Sequence, residues 1–315
     1  MGAARDKGGG FMARNYKEKI KKGDLIFYAL MLALPLASLA VFYFGVNANS
    51  FLLAFQKYDQ ERGAFVFEGL SAFRRVFDDF GGIVMRIAFR NSLLAYLTGI
   101  CVTMPLGVLF SYYVFKNFPL SGAFRVIFYL PSIIASIVLV LIFKYFVEKF
   151  LPEIIYKVSG KAIPGLLVDT SVALPFLLFY GVFTGFGGSI LLYSGSMRSI
   201  NESIIESARL DGVNSVQEIT RIVLPLMWPT FVTFIVTGLA GFFGNQIHAF
   251  DFYGQNAEFS IYTVGYYMFS LTARGSNSLP EYPYLSAMGL TLTLIIAPVT
   301  LGVRYLLIKF GPSEN

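Results

Sequence analysis

Residues 200–230 read INESIIESARLDGVNSVQEITRIVLPLMWPT, a stretch mixing acids, bases and amides between two strongly apolar segments. Gly212 falls just past the short periodic run Glu202–Leu210, where a left-handed residue stops a helix. Ser215 is followed three residues later by Glu218, the spacing of a capping box that opens the next helix. Pro225 stands at the entry to the apolar run beyond. The stretch therefore predicts helix, glycine turn, second helix and membrane span. A stiff hairpin held at a membrane face is a shape for docking, not for chemistry.

Composition sets the class around this hairpin. The chain has 315 residues, 56% hydrophobic, 17% aromatic and 14% charged, with 33 Phe and 19 Tyr against a single Trp. Soluble domains carry about 25% charge, and several apolar runs here reach the roughly 20 residues that a bilayer crossing needs. The protein reads as a polytopic membrane protein. One cysteine, Cys101, excludes an intrachain disulfide, and with one histidine, His248, no zinc ligand set exists. The net charge of +6 does not point to nucleic acid: net +4 of it lies in residues 1–24, beside a span, where topology and anionic lipid account for it.

In chain order, residues 1–24 form a basic tail and 25–46 the first span, longer than a usual signal-peptide core and without a small-residue cleavage site. Pro35 kinks that span without forbidding it. Residues 47–90, with six bases and five acids, form an extracytoplasmic segment of strandlike and short helical pieces. Spans follow at 92–115, 126–143, 172–193, about 226–243 and 287–308, with a cytoplasmic link at 116–125, an outer loop at 144–169 and a tail at 311–315. Gly185, Gly187 and Gly188 in the fourth span permit either close helix contact or local unwinding. Residues 259–271 are too short to cross and read as an outer or re-entrant helix. Six spans place both termini on one side, and the basic tail marks it as the inside.

Glu206, Ser207 and Ala208, then Gly212, then Ile222, Leu224 and Pro225 resemble, in type and spacing, the cytoplasmic coupling-loop signature of ABC importer permeases. Ser207 replaces the commoner Ala. Asp211 and Pro229-Thr230 resemble the carbohydrate-uptake branch; Arg125 followed by Tyr129-Leu130-Pro131 is similar to the family's third span, in the manner of the maltose-type first permease. The resemblance spans about residues 91–310 and implies an all-α polytopic membrane protein: six transmembrane helices in the type I ABC importer permease fold, with the coupling loop at 200–225. It further implies a bacterial cytoplasmic (inner) membrane location with both termini cytoplasmic. The implied partners are a second-type permease, two cytoplasmic ATPase subunits that carry ATP and Mg, and an extracytoplasmic solute-binding protein. In such importers the helix around Glu206–Gly212 fits a groove on one ATPase, with Arg209, Asp211, Leu224 and Pro225 in the coupling segment.

The chain itself carries no GxxxxGK[ST] phosphate loop, so no cofactor and no catalytic residue is expected in it. Glu206 and Arg209 suit charge-assisted contacts across a groove, or simply a solvated helix face. A sugar site combines aromatic faces with amides and carboxylates, which singles out Asn245, Gln246, His248, Phe250, Asp251 and Tyr253 beyond the fifth span, and Phe183 and Phe186 in the fourth. The same residues also suit an outer loop that touches partner proteins. Another solute such as glycerol-phosphate would favour bases within the spans, where almost none occur. A secondary transporter would need a buried acid, and a membrane enzyme an acid or histidine cluster; neither pattern is evident.

Overall fold

The structure is a computed structural model that describes residues 22–273 and 279–312. Most of the basic tail expected over 1–24, and the last three residues, lie outside that range. The chain divides into a first unit ending at Ser50 and a second from Phe51 onward. Apolar side chains on every face give the first unit the character of a lipid-bathed helix. This helix, α1, runs Ile26–Leu53 and contains a π turn at Leu39–Gly45. It outlasts the expected end at residue 46, and Asn47 and Ser50, whose side chains bond back to the carbonyls of Tyr43 and Val46, have their polar groups satisfied within the helix.

Strands β1 (Gln56–Asp59) and β2 (Ala64–Phe67) form an antiparallel hairpin in the register Gln56–Phe67 to Asp59–Ala64. Asp59 Oδ1 accepts from the amides of Glu61 and Arg62 at 3.0 and 3.2 Å, and Gly63, at φ +58°, closes the turn. Helix α2 (Ser71–Phe80) buries Ala72 and Val76. Its Arg75 pairs with Glu281 at 2.9 Å and lies 4.3 Å over the Tyr284 ring.

Helix α3 (Ile83–Phe115) carries a π turn at Gly99–Thr103. The third span, expected as one helix over 126–143, is instead α4 (Ser121–Ile133) and α5 (Ser136–Ser159), bent by 101°. Pro131 withdraws an amide from the helix ladder and the Ser132 hydroxyl bonds the Tyr129 carbonyl, so the chain goes extended at Ile134. The helix of α5 also occupies much of the expected outer loop 144–169. Helix α6 (Thr170–Arg198) is capped by Asp169, whose carboxylate accepts from the Ser171 amide at 2.9 Å. It is continuous through its glycines, with no unwinding, and at Gly187 the missing side chain admits a close contact. A Cβ on Gly187 would overlap the Phe128 carbonyl of α4, whereas one on Gly188 would meet nothing within 4 Å.

Beyond α6 lie α7 (Glu202–Leu210), α8 (Ser215–Leu226) and α9 (Trp228–Ala240), the last two bent by 68° at Met227. The fifth span is thus also a broken one. Next come short α10 (Ala249–Tyr253), short α11 (Val264–Thr272) and long α12 (Tyr282–Phe310). Two side chains in α3 hold the segment before α11: Asn91 donates to the carbonyls of Ser260 and Tyr262, both at 2.8 Å, and Ser92 Oγ accepts from Val264 at 3.1 Å. The indole of Trp228 donates to Leu307 at 2.8 Å, and Gly311 passes so close to that ring that any Cβ would overlap it. By length and composition the described helices supply four spans, or six when each bent pair counts as one.

Gly187→Ala should lower stability in detergent by about 1–3 kcal/mol, the usual cost of forcing a methyl into a packed contact. Gly188→Ala should be neutral or slightly stabilising, since alanine favours the helix. Thermal unfolding of the two variants side by side checks both.

Candidate functional site

The hairpin of α7 and α8 is built by local hydrogen bonds. Asn201 Oδ1 accepts from the Ser203 amide at 3.1 Å and starts α7. The helix stops in a double closure: Val213 N donates to Ala208 O at 3.0 Å and Gly212 N to Arg209 O at 3.1 Å, with Gly212 at φ +77°. The expected glycine stop is where it should be. The capping box is not at Ser215 and Glu218 but one residue earlier. Asn214 Oδ1 accepts from the Gln217 amide at 2.9 Å, and Gln217 Oε1 from the Asn214 amide at 3.0 Å. Asn214 and Gln217 satisfy the same pattern, which leaves Glu218 free to turn inward.

Ile205 and Ala208 face inward and are buried, while Glu206, Ser207, Arg209, Asp211 and Gly212 are exposed. Leu224 and Pro225 are half-buried at the root. The hairpin tip carries two exposed apolar side chains among polar ones: Leu210 is 90% exposed and Val216 70%, beside exposed Asp211, Asn214 and Ser215. Sequence reading passed over Leu210, although a leucine directly before a glycine stop and off the Ile205/Ala208 stripe is a visible sign of an outward-facing knob.

Beside α7 lies a cleft of about 580 Å³ lined by Glu206, Arg209, Arg198 and Lys116 among others. Lys116, just past the end of α3, places Nζ 2.6 Å from the Glu218 carboxylate. Below them a buried apolar cluster joins Val108 and Tyr112 of α3, Tyr193 and Met197 of α6, Val223 of α8, Met227 at the bend and Phe231 of α9.

Helices α3, α6 and α9, with the segment after α9, line an open cavity of about 270 Å³. Helix α3 contributes Ser92, Tyr96, Gly99 and Thr103, α6 contributes Gly185, Ser189 and Tyr193, and Phe234, Gly238, Phe242 and Asn245 complete it. Aromatic faces alternate with small and hydroxyl-bearing residues, and the lining holds no acid or base. Tyr193 belongs both to this wall and to the cluster beneath the hairpin. On α3 the lining positions Ser92, Tyr96, Gly99 and Thr103 recur at i, i+4, i+7 and i+11, one helix face, a pattern that simple helix packing also produces.

Of the eight candidate sugar contacts, Asn245 lines this cavity. It also lines, with His248, a neighbouring cavity of about 200 Å³ that shares Gly99 and Thr103. Ile247 and His248 adopt φ +48° and +58°, a conformation that L side chains rarely take. The bend is held by Asn245 Oδ1 accepting from the Ile247 amide at 2.9 Å and by His248 Nδ1 lying 2.8 Å from Asp251 Oδ2. Asp251 thus holds His248 in place. Tyr253 donates to Leu167 O at 2.8 Å and lines a separate cavity with Lys144 and Glu148. Phe250 packs on Phe269 with ring centres 4.6 Å apart. Gln246 accepts from Ala249 through its backbone carbonyl. Phe183 is partly exposed and off both cavity linings, and Phe186 is packed in a cluster with Phe110 and Phe128. The eight therefore do not converge on one site.

Comparison with known proteins follows this geometry. The sequence profile of the family described as "Binding-protein-dependent transport system inner membrane component" matches residues 103–309. The chain is 24% identical over 295 residues to a probable ABC transporter permease protein, MG188, of Mycoplasma genitalium, covering 90% of this chain and 83% of the relative. It is 25% identical over 280 residues to the multiple sugar-binding transport system permease protein MsmF of Streptococcus mutans, covering 85% and 91%. In three dimensions it is similar to a chain of a bacterial ABC transporter involved in the import of the acidic polysaccharide alginate, at TM-score 0.75 and 20% identity over 92% of this chain and 97% of that one.

The left-handed Gly212 makes a local prediction. Gly212→Val should cost about 1–2 kcal/mol at the closure of α7, raising amide exchange at residues 212 and 213 roughly tenfold. Gly212→Asn, which tolerates that conformation better, should fall between. Hydrogen-exchange mass spectrometry of the peptide that covers the hairpin reads both.

Proposed function

This chain belongs to the binding-protein-dependent transport system inner membrane components, and from that premise we propose that it is the permease subunit of an ATP-driven importer of a neutral carbohydrate. One copy supplies half of the pathway beside a second-type permease. Two cytosolic ATPase subunits hold ATP and Mg, an extracytoplasmic binding protein delivers the sugar, and both termini are cytosolic.

The observation that carries the reading is the hairpin: its inner face is buried, its tip ends in the exposed Leu210, and its root meets the cavity wall at Tyr193. An apolar knob on a stiff, tightly turned helix suits insertion into a groove on an ATPase, with Glu206 and Arg209 at its sides for charge-assisted bonds. Closure of the ATPases on ATP then moves α7. The root cluster passes that movement to α3, α6 and α9, the three spans that line the cavity, and the pathway alternates its access. No step of the chemistry of hydrolysis falls on this chain.

The cavity supports the substrate class. Tyr96, Tyr193, Phe234 and Phe242 offer ring faces, and Thr103, Ser189 and Asn245 offer hydrogen-bonding groups, with no charge among the lining residues. A phosphorylated or acidic solute would leave its charge unmatched there. The sugar-binding description of the Streptococcus relative points the same way.

The test is reconstitution of this chain with the partner permease, ATPase and binding protein encoded beside it. Leu210→Asp should lose the ATPases on co-purification and lose uptake. Gly212→Val should keep insertion and binding-protein affinity but abolish uptake. Asn245→Ala should keep assembly and raise the half-saturating sugar concentration about tenfold, the cost of one buried hydrogen bond to a hydroxyl. Undiminished uptake in Leu210→Asp at equal expression would remove the coupling assignment. Preferential uptake of a sugar phosphate would replace the neutral substrate.

A further inference from the structure

We propose that the buried Lys116–Glu218 pair is the strut through which the coupling hairpin moves α3, both side chains acting as positioning residues for transport. The inference rests on the coupling reading given above and adds to it the identity of the transmitting contact.

The two residues are 102 positions apart, and their side chains are 9% and 3% exposed, with Nζ 2.6 Å from the carboxylate. Lys116 is the residue on which α3 ends, and Glu218 lies in the first turn of α8. The ammonium also lies 5.5 Å over the Tyr112 ring, one turn back along α3, and Lys116 and Arg209 line the same cleft. Around the pair the root is mostly the apolar cluster of Val108, Met197, Val223 and Met227, with the Tyr112 hydroxyl beside Ser215 and Glu218 and Ser196 Oγ 2.8 Å from Thr230 Oγ1 as its further polar contacts.

Stability alone does not account for such a pair. Removing two charges from water costs about as much as their attraction returns, and an apolar pair of similar volume does as well or better. A charge-assisted bond supplies direction instead. Apolar packing transmits displacement through shape alone, whereas an ammonium–carboxylate contact also holds one length and one orientation. The root cluster moves the three spans together, and the strut fixes the register in which the end of α3 follows α7.

The consequence reaches the cavity. From Lys116 back to Thr103 along α3 is about 20 Å at the rise of an α-helix. There α3 contains the π turn Gly99–Thr103, and Gly99, Ile100 and Thr103 of that turn face the cavity. A π turn is a place where a long helix yields locally. Displacement of the Lys116 end therefore reshapes the cavity wall instead of tilting the whole span.

The experiment uses the full reconstituted assembly and reads three quantities: ATPase subunits retained, ATP hydrolysed, and sugar taken up per ATP. The wild-type chain tests the coupling reading by itself; if it retains no ATPase, that reading fails before the strut is addressed. Glu218→Gln leaves the ammonium unpaired and is at risk of misfolding, so the decisive variants leave no unpaired buried charge. The double variant Lys116→Met/Glu218→Met should fold, retain its ATPases and hydrolyse ATP, yet take up about tenfold less sugar per ATP, the value of one charge-assisted bond. The exchanged pair Lys116→Glu/Glu218→Lys should recover most of that loss. Wild-type uptake per ATP in the methionine pair, or an exchanged pair no better than it, would overturn the proposal and leave Lys116 and Glu218 as packing residues.

Discussion

A membrane gives no hydrogen bond to a peptide group left open, and this fold can be followed from where it breaks that restriction and what repairs each break. Between Phe259 and Val264 the chain leaves helix and turns into short α11, and the exposed backbone is met by side chains of α3. The Asn91 amide spans two carbonyls, and the Ser92 hydroxyl takes the amide of Val264. Asn91 is fully buried, and an apolar residue there would leave two carbonyls open, a cost of about 1–3 kcal/mol for each. The neighbouring Gly265 lets α11 press against the backbone of Gly244 and Asn245, so the cavity residue Asn245 is set by this repair.

The other breaks are organised differently. At Ile134 the polypeptide bends through 101° after Pro131, and α4 is held against α6 by the approach of Phe128 to Gly187. At Met227 the bend of 68° lies in the middle of the apolar cluster that roots the hairpin. One bend follows a proline, with α4 seated on α6 through Phe128 at Gly187; the other sits within side-chain packing.

What the sequence disclosed follows from this division of labour. Membrane class and the hairpin with its glycine stop were legible because each rests on local signals, apolar length and a residue that tolerates a positive φ; the described helices supply four crossings, or six with each bent pair counted as one. The sharp bends were not read from hydropathy, which is the same for a kinked span and a straight one, although Pro131 precedes the break at Ile134 and Pro225 the one at Met227. The capping box moved by one residue because Asn214/Gln217 and Ser215/Glu218 fit the pattern equally, and only the burial of Lys116, a tertiary fact, decides between them. The cavity was missed for a related reason. Attention to amides and aromatics in one polar cluster favoured residues 245–253, which are adjacent in sequence. The lining is drawn from α3, α6, α9 and Asn245, whose small residues look like packing until the three helices are set together. Phe186 shows the converse, an aromatic that composition nominates for a sugar and that packing uses against Phe110 and Phe128.

The placement of charge now separates the two ends of the moving machinery. Around the cavity the lining carries none; hydroxyls, one amide and ring faces make up its polar and aromatic surface. A charge on that wall would bind a counter-ion or a wrong solute more tightly than the transported one. At the hairpin the opposite holds: its flank presents Glu206 and Arg209 to solvent, and its root encloses the paired Lys116 and Glu218. Charge and direction thus lie at the hairpin and uncharged groups at the cavity. Tyr193, Met104 and Phe234 belong both to the apolar root and to the cavity lining, so the two regions share a wall of three side chains.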